Sequence, residues 1–324
     1  MLAGPAPIPN GSAESAAAAT LAAVNSRLME RWHEALRLAR FTEGTLPPVT
    51  APLVLASASE VTAQYAARNV RLDDVRNGDA DVPAVFLARF PEDLGEVKSA
   101  KQRKRVFLQT MLPLVLRANA EIRLNRRRLL QISAREKGGI GVTEADSAFR
   151  LTMAKRYGVQ PGEWEALLRR VDIVPPSLAL AQGAEESGWG TSRFARHGNA
   201  VFGQRSYGDS AGLVPQARGE DAGFQVAAFD YLYTSVRAYM RNLNTHPAYA
   251  GFRAARATMR QAKRPLDSDV LVTALHRYSE RGEAYVRTIR TILRANKLNQ
   301  FDDVRLAAPS ETAERENRIA DAAS

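Results

Sequence analysis

Two adjacent glutamates at the end of an alanine-rich segment are the strongest candidates for chemistry in this 324-residue sequence. Glu185 and Glu186 lie in the run LALAQGAEESGWG, residues 178–190, which is typical of a helix that stops at Gly188. The side chains three, four and seven positions before Glu186 share its helix face, and all but one are Gly or Ala. No large side chain would therefore cover Glu186, which would face an adjoining groove. Trp189 would pack beneath the turn, and an apolar neighbour raises a carboxyl pKa, as a general acid requires.

A glutamate near a helix C-terminus is ordinarily a solvated surface residue, and this interpretation applies to both glutamates. Adjacent residues point about 100° apart on a helix, so at most one of the two serves the groove directly. The face of Glu185 carries Leu178 and Ala181 and is the more apolar. We therefore expect Glu185 to be a surface charge or a neighbour that acts on the acid.

The segment DIVPPSLALAQGAEESGWGTSRFARHGNAVFGQ, residues 172–204, resembles the core of the bacterial glucosaminidase domain, glycoside hydrolase family 73, and particularly its Bax-type branch. NLNTHPAYAGFRAARATMR and YSERGEAYV resemble later segments of that branch. The similarity extends from about Phe90 to Leu298. It implies peptidoglycan hydrolysis, without a cofactor, by a mainly α, lysozyme-like domain with a small β-hairpin lobe beside the catalytic cleft.

The resemblance also implies catalytic roles. The family's acid lies in an A-x-x-E-S-G-W-G motif, which falls on Glu186. Glu185 occupies a position where small or apolar residues are usual, a departure that would alter the environment of the acid. The tyrosine of an N-P-x-Y motif falls on Tyr249, with His246 in place of the asparagine, as in the Bax-type branch, and is expected near the reacting sugar.

Five further residues are predicted to bind substrate or shape the floor of the cleft. Asn199, Phe202 and Gly203 match the family's N-x-[AL]-F-G segment. Trp189 directly follows the acid. Tyr285 lies in YSERGEAYV, where packing is the ordinary interpretation and cleft lining the alternative.

Glycosidic cleavage also needs a second group to act on the oxocarbenium-like centre. Asp209, Glu220 and Asp221 are the carboxylates available in the glycine-rich segment after the acid. Glu220 is favoured, because it lies in the hairpin-like QARGEDAGFQV, where a closing lobe would bring it over the cleft. Alternatively, the 2-acetamido group of N-acetylglucosamine itself attacks, and the protein supplies only the acid and Tyr249. The residues leave this choice open.

The elements that must position these groups are predicted to be mainly helical. Residues 198–230 hold many of the glycines and short alternating segments, which is typical of a loop and a small β-hairpin. Residues 1–80 are interpreted as an extension with one helix and a proline-rich linker at 46–62, residues 81–305 as the glucosaminidase domain, and residues 306–324 as a disordered tail. Apolar periodicity and cap residues predict helices in the segments 16–41, 98–139, 143–158, 164–171 and 176–186, and in four more between 231 and 298.

Composition limits the classes of function. With 45 basic and 35 acidic residues the net charge is +10, which predicts a polyanionic neighbour: nucleic acid, a membrane surface or an acidic polysaccharide mesh. The absence of cysteine excludes disulfide scaffolds, thiolate metal sites and cysteine nucleophiles. The four histidines form no metal-binding motif. No segment approaches the ~18 apolar residues of a membrane span. The first residues make a poor secretory signal, although the expected substrate places the protein in the cell envelope.

The basic runs at 101–105 and 126–128 support a rival class, because a helix rich in Lys and Arg can neutralise nucleic-acid phosphates. No aromatic residues alternate with these charges, so we expect solvated helix faces and no specific nucleic-acid partner. A non-catalytic wall-binding protein is a third class, against which the presence of Glu186 and Tyr249 speaks. The prediction is an endo-β-N-acetylglucosaminidase acting on peptidoglycan glycan strands, with a lytic transglycosylase or muramidase as the enzymatic alternative. The oligomeric state is left open.

Overall fold

The structure, a computed structural model, describes residues 52–207, 212–213 and 224–307. The chain divides into two units, one of residues 46–142 and 150–324 and the other of residues 1–45 and 143–149. The second unit contributes only the start of one helix to the described residues. Within the described ranges, none of the helices is apolar over a length that would cross a bilayer.

The described residues are mainly helical, as predicted. The first half contains α1 (Ala58–Ala66), α2 (Leu72–Asn77), α3 (Ala100–Lys137), α4 (Glu144–Tyr157), α5 (Trp164–Arg170), α6 (Pro176–Ser187) and α7 (Arg193–Gly198). Then follow β1 (Arg205–Tyr207), β2 (Gly212–Leu213), β3 (Phe224–Ala227), α8 (Leu232–Thr245), α9 (Ala250–Gln261), α10 (Ser268–Leu271) and α11 (Glu283–Ala295). Short 3-10 helices cover Glu92–Gly95, Pro247–Tyr249, Val272–Tyr278 and Leu298–Phe301.

Local sequence signals account for several helix ends. Thr143 precedes α4, and its hydroxyl accepts a hydrogen bond from the backbone N–H of Asp146 at 3.1 Å. Pro176 is the first residue of α6, where its missing N–H costs nothing, and Gly188 ends the helix in the left-handed conformation at φ 58°. The predicted helices over 143–158, 164–171 and 176–186 are thus confirmed.

Helix α3 is 38 residues long and contains a proline at position 113. Pro113 has no N–H to donate to the carbonyl of Gln109, one helical turn earlier. The hydroxyl of Tyr65, on α1, donates to that carbonyl instead, at 3.1 Å, and Tyr65 is buried. Ala58 and Val61 of α1 are buried as well. The linker predicted over 46–62 is therefore wrong in its last residues, which fold into α1 and pack on α3.

Helix α6 runs through the core, and its residues from Pro176 to Ala184 are all buried. It packs against α3, α11 and the 3-10 helix that ends at Phe301. Close approach depends on small residues: a Cβ atom at Gly183 would lie 3.3 Å from side-chain atoms of Phe202 and Val201. The N-terminus of α6 is capped from the far end of the chain, because Asp302 accepts hydrogen bonds from the N–H and hydroxyl of Ser177 at 2.8 and 2.7 Å.

The segment between α7 and α8 contains the three strands. β1 and β2 both pair antiparallel with β3, in the order β1-β3-β2, and the registers set Arg205 and Leu213 opposite Val226. The strands are three, two and four residues long. The described residues therefore do not support a β-hairpin lobe as a distinct part of the fold, and that lobe stays a prediction. Residues 208–211 and 214–223 lie outside the described residues, as do 1–51 and 308–324, which include the predicted helix at 16–41 and nearly all of the predicted tail.

The domain bounds of 81–305 stay a prediction. The residues just before them are attached to the body, because the Arg76 guanidinium of α2 donates to the carbonyls of Asn296 and Lys297 at 3.0 and 2.8 Å. Val82 and Leu306 form a parallel bridge that joins the two predicted ends of the domain.

Candidate active site

Glu186 lies in the last turn of α6, where the chain turns sharply. Gly188, Trp189 and Gly190 all have positive φ angles, of 58°, 60° and 81°. A Cβ atom at Gly190 would come within 2.9 Å of the Phe90 ring, so that only glycine fits. Trp189 has no such freedom, and a left-handed conformation costs a non-glycine residue about 1 kcal/mol or more. This strained turn directly follows the acid, which is where backbone strain is often found in enzymes.

The side chain of Ser187 holds the turn together. Its hydroxyl donates to the carbonyl of Gly183 at 2.5 Å and accepts from the N–H of Gly190 at 2.8 Å. Its carbonyl accepts from the N–H of Ser192 at 2.9 Å, at the start of α7. The motif ESGWGTS therefore encodes the geometry at the end of α6 through its serines and glycines.

The Glu186 carboxylate faces the segment that follows α7. Gly203 has φ 60°, and a Cβ atom on it would lie 3.0 Å from Oε2 of Glu186. The Tyr278 hydroxyl donates to the carbonyl of the neighbouring Phe202 at 2.9 Å and anchors this segment. Glu186 therefore meets backbone, not a side chain, on this side, while its own side chain stays partly exposed.

Aromatic rings form a wall around the acid. Tyr278 stacks on Tyr285 with ring centroids 5.6 Å apart and planes 7° apart, and Tyr249 lies 5.8 Å from Tyr278. Phe202 stacks on Tyr239 at 4.0 Å. The rings come from the 3-10 helices, from α8 and α11, and from the segment between α7 and β1, so that the wall joins parts of the chain that are far apart in sequence.

This environment brings the pKa of Glu186 close to neutral pH. Burial raises the pKa of Glu186 to about 7, and the charge of Glu185 acts in the same direction. A hydrogen bond from Tyr285 and the charge of Arg281 act in the opposite direction. Burial also raises the pKa of Tyr249, whose hydroxyl keeps its proton at neutral pH. A carboxyl group in this state can give a proton to a substrate oxygen at neutral pH.

Glu185 points away from the acid and forms an ion pair. Its Oε1 lies 2.5 Å from Nη2 of Arg281, whose guanidinium is also 5.6 Å from the centre of the Tyr285 ring. Of the two roles expected for Glu185, the structure fits a neighbour that acts on the acid through charge.

The predicted site residues fall into three groups. Gly203, Tyr249 and Tyr285 lie around Glu186, with Tyr285 fully buried and in hydrogen-bond contact with it. Glu220 lies outside the described residues, together with the alternatives Asp209 and Asp221. The remaining three, Trp189, Asn199 and Phe202, make contacts with other parts of the protein that hold the chain in place beside Glu186.

Those structural contacts are specific. The Trp189 ring meets Phe107 edge-on at 5.4 Å, and the Lys104 ammonium lies 4.8 Å from its centre. The Asn199 side chain donates to the carbonyls of residues 229 and 230 at 2.9 and 3.1 Å. Phe202 is buried against Tyr239. These residues fix the turn and the segment beside the acid, and their contact with substrate stays a prediction.

Four residues at the site were not among the predicted ones: Gln182, Tyr239, Tyr278 and Arg281. Gln182 is the one polar side chain among the small residues on the face of Glu186, and this exception was a usable signal. Tyr278 lies seven positions before Tyr285 in the same motif. Nothing local indicates Arg281, because its partner Glu185 is 96 positions away.

The described residues contain no group of three or more metal-ligating side chains. Their candidate chemistry is that of a carboxyl group with a pKa near neutrality. This group is partly exposed and lies among aromatic rings in a mainly helical domain. These features fit the class of glycoside hydrolases, in which carboxyl groups carry out the reaction.

Comparison with known proteins narrows this class. The family described as mannosyl-glycoprotein endo-beta-N-acetylglucosaminidase matches residues 163–298, which include Glu186, Gly203, Tyr249 and Tyr285. Protein bax of Escherichia coli (strain K12) is 37% identical over 199 residues, which are 60% of this chain and 69% of that protein. The chain belongs to the glucosaminidase family of cell-wall glycoside hydrolases.

A solved structure, the catalytic domain of the autolysin Auto from Listeria monocytogenes, is similar over 53% of this chain and 96% of that chain. Its sequence is 16% identical and the TM-score is 0.32, which is too distant to carry an argument about the site.

Proposed function

We propose that the protein is an endo-β-N-acetylglucosaminidase that cleaves the β-1,4 bond after N-acetylglucosamine in peptidoglycan, with Glu186 as general acid. One observation carries the proposal: a partly exposed carboxyl group with a pKa of about 7 lies among aromatic rings, with one oxygen close to the backbone at Gly203. Family membership supports the choice of a cell-wall glycan as substrate. The site of action is the cell envelope.

In the proposed reaction, protonated Glu186 donates to the oxygen of the scissile bond while the bond from that oxygen to the anomeric carbon breaks. The anomeric carbon gains positive charge, and Glu186 becomes a carboxylate. The hydrogen bond from Tyr285 and the charge of Arg281 stabilise that carboxylate. Tyr249, on the same wall, would lie beside the reacting sugar and donate a hydrogen bond from its hydroxyl to a sugar or acetamido oxygen.

A second group must complete the reaction at the anomeric carbon. Glu220, carried on a β-hairpin lobe of a lysozyme-like domain, is our preferred candidate, and Asp209 and Asp221 are the alternatives. If no carboxylate serves, the 2-acetamido oxygen attacks and water then opens the cyclic intermediate. Stereochemistry separates inversion from the two retaining routes, and only the acetamido route fails on substrates that lack the N-acetyl group.

The proposed acid can be tested by digestion of purified peptidoglycan. Glu186→Gln keeps the shape of the side chain but has no proton to donate, so we expect the rate to fall by at least about a hundredfold. Glu185→Gln is the matched control, and it should digest peptidoglycan below neutral pH at close to the wild-type rate. Wild-type rates in Glu186→Gln would remove Glu186 from the mechanism.

Mass spectrometry of the digest tests the bond. New reducing ends on N-acetylglucosamine support the proposal. Reducing ends on N-acetylmuramic acid would identify a muramidase, and 1,6-anhydro-N-acetylmuramic ends a lytic transglycosylase. Either of these outcomes would overturn the proposed specificity while leaving Glu186 as the acid.

A further inference from the structure

A chain of hydrogen bonds runs through the core to the acid. The Tyr239 hydroxyl donates to Oε1 of Gln182 at 2.7 Å, and Nε2 of Gln182 donates to the Tyr285 hydroxyl oxygen at 2.8 Å. Tyr285 is in turn hydrogen-bonded to the carboxylate of Glu186. Gln182, Tyr239 and Tyr285 are each 0% exposed, so no solvent competes with these bonds.

The chemistry of an amide gives this chain a direction. An amide nitrogen can only donate, so the Tyr285 oxygen must accept from Gln182. The hydroxyl hydrogen of Tyr285 is then left for its other partner, Glu186. We infer that Gln182 is a positioning residue, whose amide aims the Tyr285 hydroxyl hydrogen at the Glu186 carboxylate. The inference rests on the proposed role of Glu186 as the general acid.

Tyr239 is hydrogen-bonded to the other end of the amide. If the Gln182 amide were reversed, its oxygen would face Tyr285 and accept the hydrogen that now goes to Glu186. The Tyr239 hydroxyl donates to Oε1 in the observed orientation and could accept from Nε2 in the reversed one, so the Glu186 carboxylate, which can only accept, favours the observed orientation. Without the Tyr239 hydroxyl, Oε1 has no donor in the observed orientation, and the reversed amide becomes more favourable.

The direction matters because the acid must release its proton. Burial favours the protonated form of Glu186, whereas a hydrogen bond donated to the carboxylate favours the ionised form. Burial alone would hold the proton too firmly for efficient transfer. The chain from Tyr239 through Gln182 to Tyr285 offsets this, because it stabilises the carboxylate that remains after transfer.

The test measures the pKa of Glu186 directly, by NMR titration of the full chain labelled with ¹³C at the glutamate carboxyl groups. The resonance is identified by its loss in Glu186→Gln. We expect Tyr285→Phe to raise the pKa by about one pH unit, because a hydrogen bond to a charged group is lost. Gln182→Met, which has similar length and no amide, should raise it by a smaller amount.

The double variant distinguishes positioning from packing. If Gln182 acts through Tyr285, then Gln182→Met changes nothing further in the Tyr285→Phe background. A rise of equal size in both backgrounds, or no rise in either, would overturn the inference. Should Gln182→Met fail to fold, Tyr239→Phe tests the same point, since it frees the amide to reverse and should also raise the pKa only when Tyr285 is present.

Charge does not confound this test. None of the four variants changes the net charge, so a shift reports hydrogen bonding. Among the described residues, the titratable and charged groups that face Glu186 are Glu185, Tyr239, Tyr249, Tyr278, Arg281 and Tyr285.

The titration needs no substrate, so its outcome is separate from that of the proposed function. If Glu186→Gln remained active, the proposed function would fall while the pKa shifts could still be observed. If the shifts were absent, the inference on Gln182 would fall while Glu186 could still be the acid.

Discussion

A Cβ atom at Gly203 would lie 3.0 Å from Oε2 of Glu186, closer than side-chain atoms ordinarily approach. The φ angle of 60° at Gly203 is a second reason for glycine at this position. Because Gly203 has no side chain, the carboxyl oxygen can approach the backbone closely at this position. The position of this oxygen, and so of the proton that Glu186 would donate, therefore depends on glycine at residue 203.

Gly203→Ala should therefore impair catalysis beyond its effect on stability. A methyl group at 203 would push Oε2 of Glu186 away, and displacement of the reacting atoms should lower kcat/KM on peptidoglycan by at least about tenfold. Gly139→Ala is the matched control, because Gly139 has φ 68° and nothing within 4 Å of its Cβ position. Both variants should lose stability in thermal denaturation because of the positive φ angle, and Gly203→Ala should lose more because of its contact with Glu186. Equal activity in the two variants would show that the close approach of Glu186 to Gly203 is not needed for catalysis.

The Glu185–Arg281 pair should tune the pH range of activity. A general acid works when protonated, so activity falls as pH rises through the pKa of Glu186, about 7. Glu185 raises this pKa and Arg281 lowers it. Glu185→Gln should move the fall in activity to lower pH, and Arg281→Gln should move it to higher pH. Because both partners are partly exposed, each shift should be about half a pH unit and should shrink in high salt.

The measurement is kcat/KM between about pH 5 and about pH 9. At about pH 8, Arg281→Gln should be more active than the wild type and Glu185→Gln less active. The Glu165–Arg169 pair on α5, with its atoms 2.6 Å apart, is a matched control outside the site, and its neutralisation should leave the profile unchanged. Shifts of the same sign in both site variants would contradict the electrostatic account.

The course of α6 could be predicted from the local sequence, whereas the contacts of its side chains could not. The course of α6 follows from a proline at its start, small residues along it and a glycine at its end. All of these signals lie within residues 176–188. The partners of Gln182 lie 57 and 103 positions away, so neither periodicity nor spacing could pair them. The linker predicted over 46–62 includes the first residues of α1, because nearby prolines dominate the local pattern, whereas the burial of Val61 depends on α3.

Asp302 should make stability depend on pH. Burial raises the pKa of this carboxyl group to about 6, above its ordinary value of 3.8. An acid whose pKa is higher in the folded state binds its proton more tightly there, so its contribution to stability is greatest at low pH and falls as pH rises from about 4 through about 6. Asp302→Asn keeps an acceptor for Ser177 and removes the charge.

Relative to the wild type, Asp302→Asn should therefore be more stabilising at about pH 8 than at about pH 4, by about 2 kcal/mol in the free energy of unfolding. Urea denaturation at the two pH values measures the difference. Asp230→Asn, at an exposed position that is not among the groups acting on Asp302, is the control. A pH-independent effect of Asp302→Asn would mean that the carboxyl group is ionised alike in both states.

The contact between Tyr65 and Gln109 allows a sharper test of how α1 is held. Tyr65→Phe should lower the free energy of unfolding by about 1–3 kcal/mol, because it leaves a buried carbonyl without a donor. Pro113→Ala restores an N–H that can bond to the same carbonyl within α3. In the Pro113→Ala background, Tyr65→Phe should therefore cost no more than about 0.5 kcal/mol. The exposed Tyr231→Phe controls for loss of a hydroxyl as such. If Tyr65→Phe costs the same in both backgrounds, then the hydroxyl does not compensate for the proline, and α1 is held by its other contacts.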